Sequence, residues 1–148
     1  MADISDFITA LEAAQAGKFT QEVQDAAKGI DVAALKTAVA EALAADETEK
    51  IADDIDPKAV TLRAGFEFAA KVVMMLKAAP GPFEKKDLYV HFKIARQEEV
   101  PTPGMFDMVK KQLYGEWLKV KHYSSHKSQA LYIQHVNTFI GKYGTRDA

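Results

Sequence analysis

Apolar positions recur at helical spacing through the first half of the chain, and their rhythm changes after residue 115. Phe7, Ile8, Leu11 and Ala14 share one helical face behind a capping Ser5, and Gly17 stops the run. Val23, Ala26 and Ala27 form a shorter stripe between Thr20, a cap, and Gly29, a terminator. Asp31 caps a third stripe, Val32, Leu35, Val39 and Leu43. These stripes are narrow and rich in alanine, so the helices must pack closely to bury enough surface. Asp56-Pro57 then pairs a cap with proline at the first helical position. It opens the longest predicted helix, running to about Ala78, whose Phe66, Phe68, Ala69, Val72, Val73, Met75 and Leu76 make it apolar around most of its circumference. Ala79-Pro80-Gly81-Pro82 ends it.

Leu88 and Phe92, led in by Phe83, predict a short helix from about Glu84 to Ile94. Thr102-Pro103 signals another start, with Phe106, Val109 and Leu113 facing inward and Asp107, Lys110, Lys111 and Tyr114 outward until Gly115. From there the period becomes two. Trp117, Lys119, Lys121 and Tyr123 alternate with Leu118, Val120 and His122, and Leu131 and Ile133 alternate with Ala130, Tyr132 and Gln134. Two strands joined by a Ser-Ser-His-Lys-Ser tip make a hairpin. The fold class expected is therefore mainly α with a small β-hairpin. It divides into an acidic, alanine-rich helical region at 1–56, a second domain at 57–136 and a tail at 137–148.

From Arg63 to Gln134 the order is helix, Pro-Gly-Pro link, helix, loop, helix and hairpin, and Leu113-Tyr-Gly-Glu-Trp-Leu looks like a helix exit into a first wing strand. Over about residues 60–136 this order resembles a winged helix-turn-helix domain. The resemblance implies that Pro103 to Tyr114 is a recognition helix, that Trp117 to Gln134 is the wing, and that DNA is the partner.

Charge sharpens that expectation. The 148 residues carry a net charge of −2, but residues 1–62 hold 5 Lys against 13 Asp or Glu, while residues 84–148 hold 11 basic residues against 7 acidic ones. A basic second half is a candidate polyanion binder. Lys110, Lys111 and Tyr114 on the helix and Lys119, Lys121 and Lys127 on the hairpin are the candidate nucleic-acid contacts. Lysines without arginine suit point-charge grip on phosphates better than bidentate reading of guanine.

Other chemistries find little support. No cysteine is present, which excludes thiolate metal sites, disulfides and thiol catalysis. The acids from Asp46 to Asp56 lack the alternation and glycine of a calcium loop. His122 and His126 have no third ligand with them, and Ser124 and Ser125 lack a nucleophile elbow. No phosphate loop, dinucleotide fingerprint or His-Glu-x-x-His occurs. No enzyme, cofactor or metal is expected. Acids near the start argue against export, and the apolar run Val72 to Leu76 is too short to span a bilayer, so the expected location is cytoplasmic. The composition would suit a bacterial or phage setting.

The expected function is a small DNA-binding protein with a regulatory or assembly role, its N-terminal helices mediating self-association or holding a protein partner. The alternative is a protein-interaction adaptor or inhibitor that uses the winged-helix shape and acidic helices without touching DNA.

Overall fold

The computed structural model describes residues 3–147, and its regular elements are helices. α1 (Ser5–Gln15), α2 (Gln21–Ala27), α3 (Val32–Ala44) and α4 (Pro57–Val72) occupy the first half, followed by α5 (Pro82–Ala95), α6 (Met108–Val120) and α7 (Ser125–Tyr143). Caps set several of these boundaries. Thr20, Asp31 and Asp56 each accept a backbone N–H of the helix they precede. Ser5 does not cap α1. Instead the Asn137 side chain reaches from α7, its Oδ1 accepting the Phe7 N–H at 2.8 Å and its Nδ2 donating to Asp3 O at 2.9 Å.

The expected hairpin does not form: among the described residues there is no strand, only an isolated bridge between Leu76 and Thr145. Trp117 to Val120 close α6, and Gln129 to His135 lie inside α7. Gly115 fails as a stop, because an interior glycine costs a helix only about 1 kcal/mol. The serine-rich stretch is a helix start, with Ser124 Oγ accepting the Lys127 N–H at 3.0 Å. Behind that cap Gln129, Ile133, Val136 and Phe139 recur on one buried face at helical spacing. With neither wing strand present, the winged-helix reading has no structural support.

The helix expected from Pro103 begins later, at Met108. Asp107 is its cap, accepting the Lys110 N–H at 3.0 Å, so Asp107 is not an outward member of the helix. Phe106 and Val109, expected to point inward, are exposed, and α6 buries no residue at all. α4 also ends before Ala78. After a single 3₁₀ turn at Val73–Met75 the chain extends, because the C-terminal segment takes its carbonyls: Arg146 donates to Met75 O through its backbone and to Met74 O through its guanidinium.

α7 packs against α1, α3, α4 and α5, while α2 and α3 pack on α4. One buried cluster runs from Ile4 to Val136. Phe68 sits edge-on to Phe7 at 5.6 Å between ring centroids. Leu35 fills the space beside Gly65, where a β-carbon would collide with it. The acidic segment after α3 is clasped to the start of α7. The Lys127 ammonium donates to Leu43 O and Ala45 O, satisfying carbonyls at the end of α3. Buried His126 accepts the Ile51 N–H through Nδ1 and meets Asp54 through Nε2 at 2.9 Å.

The α5/α7 interface encloses His91, which stacks on His135 at 5.7 Å and lies 3.4 Å from Ser128 Oγ. Burial, and then the neighbouring His135, push the His91 imidazole down to about 4, and burial lowers His135 as well. A histidine held neutral in the fold takes up its proton more readily when unfolded. The stability it contributes is complete above pH 6.5 and is lost as the pH falls towards 4. Denaturant titrations of the wild type and His91→Gln should therefore diverge in pH slope over that window by about 2–3 kcal/mol. Parallel slopes would refute the assignment.

Candidate ligand-binding site

Among the described helices α6 packs chiefly on α5, and the pair leaves a cavity of about 590 Å³. Its lining includes Tyr89 from α5, Val100, Pro101 and Pro103 from the connection, and Lys110 and Leu113 from α6. Local chemistry makes this connection firm although it contains no regular element. Gln97, in the left-handed region at φ 59°, closes α5, and the Glu98 N–H returns to Lys93 O at 2.8 Å. Val100 is buried and anchors the loop, Pro101 and Pro103 stiffen its second half, and Asp107 N–H bonds to Gly104 O before its side chain starts α6.

The wall is mostly apolar, with Thr102 and Asp107 as further polar members, and Lys110 lines it while Lys93 stands beside Tyr89. The Lys93 ammonium lies 5.6 Å from the centre of the Tyr89 ring and 3.3 Å from Glu98. The Lys110 ammonium lies 3.8 Å from Asp107 in an exposed pair, which contributes little attraction in water and leaves the cation free to exchange partners. Behind α5, Phe92 and Tyr132 close on Phe66, and burial raises the Tyr132 hydroxyl above its ordinary range. Tyr132 is thus a packing residue that stays neutral. At the start of α5, Glu84 accepts the Tyr143 hydroxyl and the Gly81 N–H and is approached by Lys142. With the Tyr143 bond the largest cause, these partners bring its carboxyl down to about 2 and fix α5 against the end of α7.

The six residues singled out from sequence do not gather on one face. Lys110 lines the cavity, and Lys111 is exposed beside it on α6. Tyr114 packs on Trp117 at 5.6 Å between rings, Lys119 pairs with Glu116 at 3.3 Å, and the Lys121 ammonium rests 5.7 Å from the Trp117 ring. Lys127 is committed to α3 carbonyls. Sequence reasoning passed over Tyr89, Lys93, Val100 and Pro101, and read Pro103 only as a helix start and Leu113 only as an inward-facing position. The signal available was an aromatic and a lysine four apart on α5, followed by a proline-stiffened apolar loop. Among the described residues no group of three or more His, Asp or Glu could hold a metal ion, and no helix is long and apolar enough to cross a membrane.

A family model described as "Acyl CoA binding protein" matches residues 63–136, from within α4 to within α7. The chain is also similar to "Acyl-CoA-binding protein homolog 1" of Caenorhabditis elegans, with 35% identity over 81 residues, 53% of this chain and 94% of the relative. No solved structure matches. The cavity lies inside the matched range, and α1, α2 and α3 lie before it.

Proposed function

The chain belongs to the acyl-CoA-binding protein family, and from that premise we propose that it binds acyl-CoA esters reversibly in the cavity between α5, the 96–107 connection and α6. Membership overturns the expectation of a winged-helix DNA-binding protein, and with it DNA as the main partner; the adaptor or inhibitor alternative does not match either. Acyl-CoA-binding proteins bind acyl-CoA and are not enzymes, in keeping with the expectation of no catalysis.

One observation carries the reading: a largely apolar wall and the Lys110 ammonium meet at a single cavity, with the Lys93 ammonium beside the Tyr89 ring that lines it. An acyl-CoA combines the same two chemistries, a phosphorylated adenine nucleotide and a thioester-linked alkyl chain. Lys93 and Lys110 would face the phosphates, Tyr89 would offer a ring for stacking the purine, and Leu113, Val100, Pro101 and Pro103 would shield the apolar portion from water.

Of the six residues marked from sequence, Lys110 is the one this reading places at the ligand; Tyr114, Lys119, Lys121 and Lys127 take structural roles through their ring, carboxylate and carbonyl partners. The division at residues 56 and 136 is kept as a proposal, with 1–56 bracing α4 and α7 from the side away from α5, as is a cytoplasmic location. Calorimetric titration with a long-chain acyl-CoA should give a saturable one-to-one complex, tighter than that with free coenzyme A. Absence of binding by the folded chain would end the reading.

A further inference from the structure

The lip of the cavity carries a cluster of apolar side chains left largely exposed by the described residues. Met105 is 74% exposed, Phe106 90%, Met108 64% and Val109 69%. They lie on the turn before α6 and on its first helical turn, which the Asp107 cap and the Gly104–Asp107 bond hold in a projecting shape. Four large apolar residues within five positions form a patch of the kind that marks an interaction surface.

Charge limits the choice of partner. Lys110 and Lys111 follow at once, and α6 with its cap and C-cap carries four lysines, at 110, 111, 119 and 121, against Asp107 and Glu116. Apolar side chains that protrude next to exposed lysines match an anionic bilayer surface, where the former enter the acyl boundary and the latter meet headgroups. A protein partner of this patch would need a groove, whereas a fluid interface accommodates a projection. The proposed ligand is itself an amphiphile whose alkyl chain partitions into membranes.

We propose that the segment Met105–Lys111 docks the protein on anionic lipid surfaces and sets the mouth of its cavity against the leaflet from which acyl-CoA is taken or to which it is returned. This rests on the acyl-CoA reading and adds the membrane as the source and sink of that ligand. Phe106 and Lys111 lie outside the cavity lining, so they separate docking from ligand binding.

The test is co-flotation of the full chain with phosphatidylcholine vesicles, with and without phosphatidylserine, beside calorimetric titration with acyl-CoA in vesicle-free solution. The wild type should float with the phosphatidylserine vesicles. Phe106→Ser should weaken that partition roughly tenfold, and Lys111→Glu should remove most of the preference for anionic lipid, both with solution affinity for acyl-CoA unchanged. A wild type that binds acyl-CoA in solution and ignores both vesicles overturns docking alone. So does a concentration-dependent dimer abolished by Phe106→Ser with no flotation. A wild type that floats but binds no acyl-CoA in solution overturns the functional reading on which the proposal rests.

Discussion

Truncating Phe68 to alanine is expected to cost about 3–5 kcal/mol of folding stability, the range for emptying a fully buried phenylalanine site. Phe68 is completely enclosed and meets Phe7 edge-on, so its ring joins α1 to α4. The loss combines the transfer energy of the ring, the cavity left between helices that cannot collapse independently, and the aromatic pair itself. For a chain of this size the melting temperature should fall by roughly 10–15 °C. Phe83 supplies the contrast. It has the same side chain, but it projects into solvent at the start of α5, with the Lys86 ammonium 4.8 Å from the centre of its ring. Phe83→Ala should stay within about 1 kcal/mol of the wild type. Equal losses from the two truncations would mean that α1 does not pack on α4 as described.

The largest effect on binding is expected from reversing Lys110, which lines the cavity, together with Lys93 beside the lining Tyr89. Charge-assisted hydrogen bonds to an anionic ligand contribute about 1.5–3 kcal/mol each, and solvent screening takes the lower end here because the Lys110 side chain is well exposed. The double variant Lys93→Glu, Lys110→Glu should therefore lose acyl-CoA affinity by about a hundredfold. Reversing Lys119 and Lys121 changes net charge equally, but away from this cavity, and should cost less than about threefold. Comparable losses from the two pairs, measured by calorimetry at one salt concentration, would show a diffuse effect of net charge with no localised site.

What could be read from the sequence depended on how local each signal was. Thr20, Asp31 and Asp56 act on N–H groups within three residues of themselves, so their helix starts are visible without tertiary context. Ser124 is a signal of the same kind, hidden in a serine-rich stretch that equally suits a hairpin tip. The alternation of Trp117 to Tyr123 and of Ala130 to Gln134 spans windows too short to separate a period of two from one of 3.6. The buried sequence Gln129, Ile133, Val136 and Phe139 separates them only when read through to the end of α7. The helix propensity of the Leu, Lys and Glu residues around Gly115 also outweighed the glycine.

Charge misled for a different reason. The basic second half is largely neutralised close at hand: Lys86 and Lys119 lie near Glu116, Lys93 near Glu98, Lys142 near Glu84, and Lys127 near helix carbonyls. A count along the chain cannot show those pairings, so it exaggerates the basic surface presented to a polyanion. The cavity was invisible for a related reason, since Tyr89, Val100 and Leu113 carry no motif until the loop folds between α5 and α6. Exposure of Phe106 and Val109 was the least legible feature, because helical spacing alone places both on an inward face.

The central claim, acyl-CoA held between α5 and α6, is tested most directly by following the amide resonances of the isotope-labelled chain through a titration with long-chain acyl-CoA. Tyr89, Lys93, Val100, Lys110 and Leu113 should show the largest changes and saturate together at one equivalent. No change on titration, or changes centred instead on the separate pocket lined by Arg63, His126 and Gln129, would contradict the account.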